Sequence, residues 1–66
     1  MTIEQIKSML QNSPRNKVKY RDEYNFIVWG ICLNKEVQTE NNESFIFVDS
    51  LTNKVSVNKI IEIRAL

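Results

Sequence analysis

The chain has 66 residues, with nine cations against eight acids, one Gly, one Pro, one Cys and no His. That inventory excludes a glycine-rich phosphate loop, a histidine general base, an internal disulfide and any zinc site built from Cys and His clusters. Apolar residues at 42% and charged residues at 26% are those of a folded domain rather than a disordered chain.

The first element is a helix over about residues 2–12. Thr2-Ile3-Glu4-Gln5 has the spacing of a capping box, and Met1 and Ile6 stand at the positions of a hydrophobic staple. Ile3, Ile6 and Leu10 share one face, with Met9 beside it, while Glu4, Lys7, Ser8 and Gln11 turn outward. Pro14 cannot continue the helix and restricts the residue before it, so the helix stops at Asn12-Ser13. About ten residues make only a marginal helix alone, so the apolar face must dock.

The remaining chain, about 16–65, alternates with a period of two. Val18 and Tyr20 share one face of Lys17-Val18-Lys19-Tyr20-Arg21, and three cations share the other. Arg21-Asp22-Glu23-Tyr24-Asn25 reads as a polar turn. Residues 25–33 read as a strand apolar on both faces, with Gly30 marking a bulge or bend. The more polar Asn34-Lys35-Glu36-Val37-Gln38-Thr39 extends that strand beyond the bend, and Glu40-Asn41-Asn42-Glu43 turns into Ser44-Phe45-Ile46-Phe47-Val48-Asp49. After a turn at Ser50-Leu51-Thr52-Asn53, Val55, Val57, Ile61 and Ile63 alternate across Asn58-Lys59, giving two short strands with Ile60 out of rhythm.

These readings amount to an α+β, mostly β, single domain. Its short connections permit only antiparallel neighbours. Strands apolar on both faces need cover on both, which the helix supplies on one side and curling of the sheet on the other. One of Phe45 and Phe47, not both, is expected to point inward. Phe26 and Phe47 are read as core anchors whose truncation to Ala costs about 3–5 kcal/mol.

The order of elements resembles the Sm-like and SH3-like small barrels. The likeness rests on three segments: Phe26-Ile27-Val28-Trp29-Gly30-Ile31-Cys32-Leu33 as a long strand with an internal Gly, Ser44–Asp49 as the next strand, and Val55–Ile63 as a closing pair with a tight junction. The resemblance implies a helix followed by a bent, antiparallel five-stranded barrel, with ring assembly and RNA binding as family properties. Where that family carries its base-binding loop, this chain has the acidic Glu40-Asn41-Asn42-Glu43.

Charge is segregated along the chain. Residues 1–21 hold five cations against Glu4, and residues 22–49 hold six acids against Lys35. Lys17, Lys19 and Arg21, joined by Lys59, are the candidate phosphate contacts for RNA or DNA. The competing reading is a solvated face or an edge strand guarded by Lys. Trp29 and Tyr24 are the candidate interface residues, since Trp and Tyr are enriched at binding hot spots. They serve the second functional expectation, a protein-interaction module of a phage or mobile element that self-associates as a homo-oligomer or binds a host protein. Eight Asn and eight Ile against one Ala point to an A+T-rich coding sequence.

Cys32 has no His or second Cys to activate it, so it reads as a small buried hydrophobe. The turn acids Asp22, Glu23, Glu40 and Glu43 read as solvated rather than as a metal site. No enzyme activity, cofactor or metal is expected. No apolar run approaches the roughly 20 residues of a membrane span, no signal-peptide core is present, and a lone Cys suits a reducing compartment. A cytoplasmic location without membrane contact is the expectation.

Overall fold

The computed structural model describes residues 1–66. One helix, α1 (Ile3–Asn12), precedes six strands: β1 (Asn16–Arg21), β2 (Ile27–Ile31), β3 (Gln38–Glu40), β4 (Glu43–Phe47), β5 (Lys54–Ser56) and β6 (Ile60–Ala65). A single 3-10 turn, Val57–Lys59, separates β5 from β6.

The capping box forms in full. The Thr2 hydroxyl accepts from Gln5 N at 3.2 Å, and Gln5 Oε1 accepts from Thr2 N at 2.9 Å. The helix ends where Ser13 takes an extended conformation before Pro14. Ile6 and Leu10 are completely buried, and α1 packs against β6.

The strands build two three-stranded antiparallel sheets, ordered β2-β1-β6 and β3-β4-β5. This overturns the five-stranded barrel. Two features keep the sheets apart. The chain leaves the first sheet after Cys32, because Asn34 turns it: Asn34 Oδ1 accepts from Phe47 N at 3.0 Å and Asn34 Nδ2 donates to Glu36 O. The segment after that turn therefore forms an independent edge strand, β3, on β4 instead of prolonging β2. The 3-10 turn then carries the chain from β5, paired with β4, to β6, paired with β1, and β5 and β6 do not pair with each other. One isolated β-bridge, Cys32 to Val48, links the backbones of the two sheets.

One core lies between the sheets and beneath the helix. The first sheet contributes Val18, Tyr20, Ile60 and Ile63, the second Ile46, Val48 and Val55, and the helix Ile6 and Leu10. Every buried side-chain polar atom has a hydrogen-bond partner. Tyr20 satisfies its hydroxyl by accepting from Asn53 Nδ2 at 3.3 Å.

Gly30 is not a bulge. Its pairing with Val18 lies in unbroken register between Lys17–Ile31 and Lys19–Trp29. What demands glycine is a close approach: a Cβ at this position would collide with the Val48 side chain and come within 2.8 Å of Asp49 Oδ2. The bulge lies on β6. Lys19 pairs with Glu62 but Tyr20 pairs with Ile60, leaving Ile61 as the extra residue. The alternation expected at this end is reset by one position, so Ile60 and Ile63 enter the core while Ile61 stays 40% exposed.

The aromatic assignments need two further corrections. Phe26 ends the β1–β2 turn and is 67% exposed, so it is no core anchor. Phe47 is only partly buried and is no core anchor, whereas Phe45 is buried at 4% exposure, so one of the pair and not both is buried. Both lie on the face of β4 opposite Ile46, outside the central cluster. There they pack edge to face, 5.5 Å between ring centres, with Lys54 Nζ 4.6 Å from the Phe45 centre.

Candidate functional site

The outer face of the β2-β1-β6 sheet gathers most of the residues singled out by charge and aromaticity. Alternation along β1 buries Val18 and Tyr20, so Lys17, Lys19 and Arg21 project from the opposite face. On β2 the same parity sends Val28 and Gly30 inward and Ile27, Trp29 and Ile31 outward. Register sets Trp29 directly opposite Lys19 and diagonal to Lys17, and sets Arg64 of β6 opposite Lys17 on the far side of β1.

Three cations therefore surround one indole. Lys17 Nζ lies 5.0 Å from the Trp29 ring centre, Arg64 Cζ 5.7 Å and Lys19 Nζ 5.9 Å. All fall within the roughly 6 Å reach of a cation–π contact. The two lysines are half-buried, their stems lying on the sheet with the ammonium groups held at its surface. Trp29 is 42% exposed and Ile27 50% exposed. Glu62, ion-paired with Arg64, is the one acid in these three strands.

Arg21 stands farther along the same face. Its Nη1 donates to Asn25 O at 3.2 Å, which holds it to the β1–β2 turn. Asp22 organises that turn, its Oδ1 accepting from both Tyr24 N and Phe26 N at 2.9 Å, with Asn25 at a positive φ of 67°. Tyr24, 74% exposed, lies at the turn tip.

Lys59 is not with Lys17 and Lys19. It sits on the 3-10 turn and, with Tyr24 and Arg21, lines an open groove of about 660 Å³ between the β1–β2 turn and the β4–β5 turn. Arg21, Lys54 and Lys59 are balanced there by Asp22, Glu23 and Glu43, so the groove carries no excess of either charge. Trp29 and Tyr24, the two interface candidates, thus belong to different surfaces. Arg64 escaped the sequence reading. Its parity opposite Ile63 puts it on an outer face, but only the β1–β6 register brings it beside Trp29.

Cys32 is half-buried against the core, and its Sγ donates to Asn34 O at 3.0 Å. Burial pushes its thiol above the ordinary value, an effect partly offset by the Asn34 backbone contact. No three or more Cys, Asp or Glu side chains converge as a metal site. No helix is long and apolar enough to cross a membrane. No family model, curated protein or solved structure matches the chain.

Proposed function

We propose that the chain is a non-enzymatic module that binds nucleic acid through the outer face of the β2-β1-β6 sheet. The observation that supports this reading is the convergence of Lys17, Lys19 and Arg64 on one face, with Glu62 as the only acid among them. Cations packed this closely repel one another, and a polyanion relieves that repulsion while releasing its own counterions. Arg21 projects from the same face of β1, but it is held to Asn25 O at the turn and lines the charge-balanced groove, so it lies outside the cluster. Lys59 stays outside the binding face because the groove around it is charge-balanced. The test is titration of labelled RNA and DNA oligonucleotides at two salt concentrations. Affinity that falls steeply as salt rises is expected; absent or salt-independent binding overturns the reading.

A second reading is self-association, which the exposure of Tyr24 (74%) and Leu51 (72%) beside the neutral groove favours. Light scattering should then give a mass above that of one chain, reduced in a Tyr24→Lys variant. A monomer mass for the unaltered protein rules it out.

A further inference from the structure

The cations account for an anionic ligand but not for the ring they surround. A large indole is left 42% exposed in the middle of a charged sheet face, with Ile27 beside it half out in solvent. No aromatic side chain stacks on it; the three cationic heads lie over the ring, and a flat ligand face takes their place there as they turn to its anionic groups. The complementary ligand must present a flat apolar face and negative charges flanking it. An acidic peptide satisfies the cations and leaves the ring uncovered. A nucleic-acid duplex offers phosphates, but its base faces are stacked on one another. An unpaired base with its own phosphates satisfies both.

We propose, resting on the nucleic-acid reading above, that this face is selective for single strands: one unpaired base stacks on Trp29, and Lys17, Lys19 and Arg64 hold the phosphates on either side of it. Stacking on an exposed aromatic tolerates any base, since every base has a π-face. The site therefore reads strandedness rather than sequence. The number of cations bounds its electrostatics. Three phosphate contacts on a single strand give a slope of about −2 for log affinity against log salt.

Trp29 is the sole tryptophan, so its fluorescence reports the site directly. The experiment titrates the protein with a single-stranded oligonucleotide, the matching duplex and inorganic polyphosphate, following both Trp29 emission and binding. The expected result is quenching by the single strand, with affinity at least about tenfold above that for the duplex. Trp29→Ala should weaken single-strand binding by about tenfold to a hundredfold, and Trp29→Phe should retain part of it. Circular dichroism confirms that the variants are folded. If duplex and polyphosphate bind as tightly as the single strand without changing Trp29 emission, or if Trp29→Ala binds within twofold of the unaltered protein, the stacking proposal falls while the nucleic-acid reading stands. If none of the three polyanions binds, both fall together.

Discussion

Asp49 and Ile31 clasp each other across the two sheets: Asp49 N donates to Ile31 O at 2.8 Å, and Asp49 Oδ1 accepts from Ile31 N at 2.8 Å. The clasp requires Asp49 to adopt a positive φ of 66°, which Asp tolerates better than most residues because its short polar side chain bonds locally. It also draws the Asp49 carboxylate against Gly30, the position that has no room for a Cβ. Gly30→Ala should therefore destabilise the protein by about 1–3 kcal/mol, the cost of overpacking a rigid contact. Urea denaturation measures this, and a midpoint unchanged from that of the unaltered protein contradicts the close-packing account.

Truncations on opposite sides of the fold should separate core from surface. Ile46 is fully buried between the sheets, so Ile46→Ala should cost about 2–5 kcal/mol. A core this small rarely supplies more than about 3–5 kcal/mol, and the variant should be largely unfolded at 37 °C. Phe26→Ala, at a site 67% exposed, should shift stability by no more than about 0.5 kcal/mol. Thermal melts of the two variants side by side decide the matter; equal losses would mean that Phe26 is a core residue after all.

Arg64 and Lys59 should differ in binding. Arg64 touches the Trp29 cluster, whereas Lys59 lines the charge-balanced groove. Arg64→Ala should reduce the magnitude of the single-strand salt slope by about 0.7, the contribution of one phosphate contact, and weaken binding at low salt. Lys59→Ala should change neither quantity. A larger loss from Lys59→Ala than from Arg64→Ala would move the binding surface to the groove.

Cys32 gives a pH signature. Burial raises its thiol in the folded state, so the folded protein holds that proton at pH values where the unfolded chain has released it. The resulting contribution is fully present below the unfolded thiol value and is lost as pH rises through the higher folded value. Stability measured from pH 7 to 10 should fall more steeply in the unaltered protein than in Cys32→Ala. Identical pH slopes would show that the thiol is as accessible folded as unfolded. The same burial predicts slow alkylation of Cys32 at pH 8, accelerating in urea.

Local chemistry determined the parts of this protein that were legible residue by residue. Thr2 and Gln5 specify the start of the helix and Pro14 its end, because caps and the proline ring act within a single turn. Asn41 and Asn42 form the β3–β4 hairpin turn with φ values of 52° and 64°, the conformation Asn favours. Alternation put Val18 and Tyr20 inside and Lys17 and Lys19 outside, since side chains along a strand have no other choice. Parity is silent about neighbours, however. That β1 lies between β2 and β6 follows from how the whole chain buries its apolar faces, and this pairing alone sets Arg64 beside Trp29. The bulge that exchanges Ile61 for Ile60 in the core, the Asn34 turn that frees β3, and the open edges that replace a barrel are likewise tertiary outcomes. Each depends on hydrogen bonds or packing between residues far apart along the chain, which no local pattern encodes.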